Sequence, residues 1–200
     1  GLINFVLHPE FNTPGSPNKG YLYLYYPHHP TRRHGNDPAV NRISRFKVKD
    51  NSFEIDPASE FILIQDYDPQ AFHLGGGMFF DDKGFLMIAF GDGGGGHDEF
   101  NSSQQIDQRF WGGIIRIDVD NDTSRSHPIR RKHTEFPGRT ADLPASFTQG
   151  YMIPDDNPWQ AEDSSVLEEF YGLGLRNPHR ATFDPVDKTI WIGDVGQGKY

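Results

Sequence analysis

Several short segments of this 200-residue chain combine residue types that can do chemistry. His73-Leu-Gly-Gly76 stands just before a strand-like run, so its ring can sit at a sheet end where glycines let backbone approach a ligand. A single His in such a place is more often structural. Gly91-Asp-Gly-Gly-Gly-Gly96 follows another strand-like run, and Asp92 there can orient a histidine as carboxylates do in acid–base pairs. This glycine run is not a P-loop, because no Gly-Lys-Ser/Thr follows, and no βαβ pattern surrounds it. In Gly174-Leu-Arg-Asn-Pro-His-Arg180, Pro178 biases Asn177 away from helix. Arg176 beside Asn177 in a rigid turn can hold a carboxylate or carbonyl oxygen in a fixed direction, or simply serve the turn. Gly193-Asp-Val-Gly-Gln-Gly198 ends a strand with carbonyls suited to a hard cation such as Ca²⁺, or is a plain connecting turn. Asp118-Val-Asp-Asn-Asp122 invites an EF-hand reading, but Thr123 and Ile129 occupy the positions that need Gly and Glu; a solvated strand end is expected instead. His28, His29, His34, His127 and His133 read as lying in polar loops without metal-ligand spacing and are expected at the surface.

The elements that must position these residues read as short strands. Apolar side chains alternate over Tyr21–Tyr26, Arg42–Val48, Glu60–Ile64, Gly76–Phe80, Phe85–Phe90, Gly113–Val119, Ala181–Phe183 and Thr189–Gly193. Asp81-Asp-Lys-Gly84 and Asp184-Pro-Val-Asp-Lys188 are hairpin turns between such runs. The unit strand, Asp-rich turn, strand, Gly-Asp occurs at 79–92 and again at 182–194, with a weaker copy from Val6 to Tyr25. A recurring hairpin predicts an all-β chain built as a β-propeller; at roughly 40–50 residues per blade, the length allows about four blades, part of a larger ring. Residues 121–150 lack periodicity and read as an irregular surface insertion, while Gln104–Trp111 and Ser164–Tyr171 are candidates for short helices.

Composition narrows the classes. Gly 22, Pro 15 and 14% aromatics suit a turn-rich β protein. The net charge of −9 disfavours nucleic acid, which needs a basic footprint. Zero Cys excludes disulfides, thiolate metal sites and a Cys nucleophile. No apolar run approaches the roughly 20 residues of a membrane span. No signal-peptide pattern opens the chain, leaving it mature, trimmed or cytosolic.

Taken together and in order, these segments resemble the glucose/sorbosone dehydrogenase family, the soluble sugar dehydrogenases that use pyrroloquinoline quinone (PQQ). The resemblance runs through His8-Pro-Glu-Phe11, Tyr21–Tyr26, Asn41–Phe46, His73–Gly76, Gly91–Gly94, Gly112–Val119, Ile153–Pro158, Gly174–Pro178 and Gly193–Gln197. It covers nearly all of residues 1–200 as a partial propeller domain. It implies a six-bladed ring with cofactor and substrate at the top of a central channel.

The resemblance implies oxidation of the anomeric carbon of an aldose to the lactone, with PQQ and Ca²⁺ as cofactors. His73 is then the general base, Asp92 its orienting carboxylate, Gln105 a substrate amide (Gln104 if the register slips by one), Arg176 the partner of the quinone oxygens and Asn177 a PQQ contact. The carbonyls of Gly196 and Gln197 are the implied Ca²⁺ ligands. Gly113 replaces the second residue of the family's Gly-Lys pair, and the family's further basic contacts lie beyond this stretch. The electron acceptor stays open, a cytochrome among the candidates, and the family implies a periplasmic or secreted home. Two rivals stand beside the dehydrogenase: a non-catalytic propeller that binds a protein or glycan, and a Ca²⁺-dependent propeller lactonase.

Overall fold

A computed structural model describes residues 1–30, 37–70 and 72–198; His34 lies outside them. Wherever apolar residues alternate, strands pair. β1 (Asn4–Leu7), β2 (Tyr21–His28), β3 (Ala39–Val48) and β4 (Ile55–Asp68) form an antiparallel meander, with β9 (Phe147–Thr148) added beyond β4. β5 (Met78–Phe80), β6 (Leu86–Phe90), β7 (Gly113–Ile117) and β11 (Phe170–Leu173) form a second meander. β12 (Pro178–Asp184) and β13 (Thr189–Asp194) make a separate hairpin, and β8 (Ser126–His127) pairs with β10 (Ile153–Pro154). The described residues thus hold two blade-sized meanders and one further hairpin, and the sheets do not close into a ring. Length alone had allowed about four blades. Long β3 and β4, together with the irregular stretches after β6 and β7, use up the difference.

The three sequence repeats are the three hairpins β1–β2, β5–β6 and β12–β13. The Asp-rich turns of the last two share a local cause. Asp81 Oδ1 accepts the N–H groups of Lys83 and Phe85 at 2.9 Å, and Asp184 Oδ1 accepts that of Val186 at 2.9 Å. Each turn closes on a left-handed residue, Gly84 (φ +81°) and Lys188 (φ +57°).

Successive sheets pack face to face. Tyr23 and Tyr25 of β2 and Leu63 and Ile64 of β4 meet Leu86, Ile88 and Phe90 of β6 and Ile115 and Ile117 of β7 in one core. On the other side of the second meander, Phe79, Met87, Ala89 and Ile114 receive Ala181, Phe183 and Ile190 of the last hairpin. Each fully buried Leu, Ile, Phe or Met among them contributes roughly 1.5–3 kcal/mol. The leading strand β5 lies against both β1 and β12, as the inner strands of neighbouring blades do.

Four expectations need correction. Neither 104–111 nor 164–171 is helical, because the two stretches bond to each other: Leu167 N–H donates to Ile106 O at 2.6 Å, and Phe170 enters β11. His133 is not at the surface; its side chain is fully buried, tilted against Phe110. Asp118 is not solvated but fully buried, tying its own turn by accepting the N–H groups of Asp120 and Asp122 and the Ser126 hydroxyl. His28 and His127 fall in strands β2 and β8 rather than in loops.

Candidate functional site

The hairpins β5–β6 and β12–β13 turn at one end, so their open ends face the other way together. The chain enters β5 from His73 and leaves β6 into Gly91-Asp92; it enters β12 from Arg176-Asn177 and leaves β13 into Asp194–Gln197. Repeat symmetry alone therefore gathers the sequence candidates at one end of the arc.

His73 Nδ1 lies 2.8 Å from Asp92 Oδ1, with both side chains largely buried. A carboxylate only accepts, so this bond puts the proton on Nδ1 and leaves the lone pair on Nε2, the arrangement of a general base. The same Oδ1 accepts the Gly94 N–H at 3.0 Å, and Asp92 N–H donates to Arg176 O at 2.8 Å. His73 has φ +59°, a left-handed backbone that costs a residue with a Cβ roughly 1–2 kcal/mol. Gly91 makes room for it, since a Cβ there would run into the His73 carbonyl.

Asp194, the repeat counterpart of Asp92, has a different task. Its carboxylate accepts the backbone N–H of Arg176 at 3.1 Å and of Asn177 at 2.7 Å. The Arg176 guanidinium gives Nε to Gln197 Oε1 at 3.1 Å and Nη1 to Val195 O at 2.9 Å and Gly196 O at 3.3 Å. Nη2 is left without a partner among the described residues. Asn177 Oδ1 accepts the Gly75 N–H at 3.1 Å. Gln105 joins the network through its backbone, donating to Ser102 O, while the Ser102 hydroxyl donates to Asp92 O. The Gln104 amide is the one that reaches Gly174, 2.9 Å from where a Cβ would sit.

Asp92, Asp98, Arg176, Asp194 and Gln197 border a hollow of about 170 Å³. That is less than the roughly 300–1,000 Å³ of a complete ligand pocket. A larger cleft, about 920 Å³ between the β1–β2 and β3–β4 turns, holds Lys19, Lys47 and Phe53 but no acid–base pair. Burial works to raise the pKa of Asp98, yet hydrogen bonds from Ser102 and Ser103 outweigh it and hold the carboxyl below its ordinary value.

Sequence reasoning missed two residues that touch this end from elsewhere. The hydroxyl of buried Tyr25, in β2, donates to Leu74 O beside His73. Gln70 Oε1 accepts the Gly95 N–H at 3.0 Å and so braces the glycine loop. Neither carries a local sequence signal; both contacts exist only once the sheets stack.

A family model described as Glucose / Sorbosone dehydrogenase matches residues 1–137. The chain belongs to the glucose/sorbosone dehydrogenase family. The HIPL1 protein of Arabidopsis thaliana is 35% identical over 133 residues, 66% of this chain and 17% of that protein. The Hedgehog-interacting protein of Homo sapiens is 25% identical over 194 residues, 95% of this chain and 23% of that one. The aldose sugar dehydrogenase YliI of Escherichia coli (strain K12) is 25% identical over 124 residues, 62% of this chain and 24% of that one. The chain therefore spans a quarter or less of these relatives. A crystal structure of a glucose dehydrogenase superposes with a TM-score of 0.64 at 20% identity, covering 98% of this chain and 44% of that one, which establishes the shared propeller fold.

This family is generally PQQ-dependent. Arg176 Nη2, a charged donor with no protein partner among the described residues, suits an anionic oxygen of such a quinone. Ca²⁺ fits less well. Such an ion takes 6–8 oxygens, whereas of the two implied ligands the Gly196 carbonyl already accepts from a guanidinium, which leaves the Gln197 carbonyl, and the nearby Asp92 Oδ1 and Asp194 Oδ1 already accept N–H donors. Among the described residues no cluster of His, Asp or Glu could hold a metal.

Proposed function

We propose that this chain is the base-carrying part of an aldose sugar dehydrogenase. The carrying observation is the His73–Asp92 pair at 2.8 Å, set at the open ends of the hairpins. His73 Nε2 takes the proton of the anomeric hydroxyl, and Asp92 stabilises the imidazolium that forms. Loss of that proton is what makes C1 a hydride donor, and the aldose becomes its lactone. PQQ, when bound, supplies the two-electron acceptor for this oxidation. Arg176 Nη2 is aimed for anionic oxygen, its guanidinium pre-oriented by the 195–197 acceptors. Gln104 or Gln105 offers an amide to the sugar hydroxyls, and Asn177 borders the cofactor side. No step is assigned to Ca²⁺. On this reading residues 1–200 are part of a larger propeller with 121–150 as an insertion, working in the periplasm or after secretion and handing electrons to an external acceptor.

A second reading, a propeller that binds a protein partner, is favoured by the alignment with the Hedgehog-interacting protein over 95% of the chain. One experiment separates them. The full-length protein is supplied with PQQ, with and without Ca²⁺, and assayed for dye reduction with a panel of aldoses and for thermal shift. Aldose-dependent reduction, abolished in His73→Ala, supports the dehydrogenase. Absence of both reduction and a PQQ-induced shift sinks it in favour of the binding module.

A further inference from the structure

The segment that follows His73 is gripped from both meanders and from the entrance of the last hairpin. Tyr25, from the first meander, donates its hydroxyl to Leu74 O. Asn4, at the start of β1, donates its amide to Gly76 O at 2.6 Å. From the second meander, Ala89 O accepts the Gly76 N–H at 3.1 Å. From the last hairpin's entrance, Asn177 Oδ1 accepts the Gly75 N–H at 3.1 Å. The fit is tight: a Cβ on Gly76 would lie 2.8 Å from the Ile3 side chain, and one on Gly77 would lie 2.6 Å from Ala181. All this surrounds a residue whose backbone sits in the left-handed region, a conformation that persists only where its surroundings over-determine it.

We infer that Tyr25 and Asn177 are positioning residues for His73: they hold the one Leu74–Gly75 peptide from its two opposite edges, its carbonyl and its N–H, and so hold the imidazole at Asp92 with its proton on Nδ1. The inference rests on the reading of His73 as the base. It gives the Asn177 side-chain oxygen an inward task, different from the cofactor contact that the family resemblance implies. Tyr25 is suited to the role because it is fully buried and its hydroxyl has one acceptor. Asn177 is suited because its own N–H is pinned by Asp194 at 2.7 Å, so its side chain starts from a fixed point.

The test reads the imidazole directly, without cofactor or turnover. The full chain is labelled with ¹⁵N-histidine, and the Nδ1 and Nε2 shifts of His73 are assigned by comparison with His73→Gln. The unsubstituted protein is expected to show a single Nδ1–H tautomer. Tyr25→Phe, which keeps the ring and loses only the hydroxyl, and Asn177→Ala should each turn this into a mixture of tautomers. Asn177→Asp, which retains an acceptor for the Gly75 N–H, should restore the single tautomer. A merely structural contact would lower the melting temperature and leave the tautomer alone. If one variant fails to fold, the other, on the opposite side of the segment, carries the test. Unchanged His73 shifts in a folded Tyr25→Phe or Asn177→Ala overturn the inference. Altered shifts in a protein that oxidises no aldose leave the clamp standing and remove only the sugar reading.

Discussion

Glu169 offers a sharp test of how burial governs the stability of this arc. It lies between Leu167 and β11 with no measurable exposure; the Tyr151 hydroxyl donates to its Oε1 at 2.8 Å, and its Oε2 has no partner among the described residues. Burial, partly offset by that hydrogen bond, pushes its carboxyl from 4.5 up to about 7. A raised carboxyl pKa means the folded chain holds a proton that the unfolded chain has released. Stability from this group is therefore complete below the unfolded value and is lost as pH rises through the window from 4.5 to about 7. The gap between the two values corresponds to about 3 kcal/mol, since each unit is worth about 1.4 kcal/mol. Glu169→Gln keeps the acceptor for Tyr151 and cannot ionise. Urea unfolding at about pH 5 and about pH 8 should show the unsubstituted chain losing roughly 2–3 kcal/mol more than the variant between the two conditions. Parallel losses in the two proteins would refute the reasoning, because they would mean Glu169 ionises as easily inside as outside.

Two further outcomes are expected. Burial depresses His133 from 6.5 to about 4, so its contribution runs the other way: stability rises with pH across that window as the unfolded chain gives up its extra proton. His133→Leu, which keeps the contact with Phe110, should behave like the parent near neutrality and resist acid better by up to about 3 kcal/mol near pH 4, measured by urea unfolding. Gly91→Ala puts a methyl into the His73 carbonyl and should cost more than about 3 kcal/mol or abolish folding, read as a fall in melting temperature; an unchanged melt would mean that backbone is free to move aside.

Much of the fold was legible because its signals are local. Period-two alternation and Asp-rich turns located the hairpins, and the repeated Gly-Asp marked where they open. The two-residue strands β8, β9 and β10 left no such trace, since two residues cannot display a period. The candidate helices over 104–111 and 164–171 do not form, and the bond between Leu167 N–H and Ile106 O that joins the two stretches has no local signal in either one. Asp118 and His133 misled because a polar side chain reads as exposed until the turn or the ring that shelters it is in place. His73, Asp92, Arg176 and Asn177 were legible as a group through family resemblance, and the antiparallel hairpins then bring them to one end. Tyr25 was invisible, being one aromatic in a strand full of them.

The meeting of three sheets around Leu74–Gly77 makes one set of bonds answer two demands. The contacts that aim the imidazole are also the keystone on which neighbouring blades lean. A chain of this fold would be penalised for discarding them whether or not it does redox work, so the motif does not depend on the reaction. Inheritance of these residues across a lineage is then a record of architecture first and of chemistry only second.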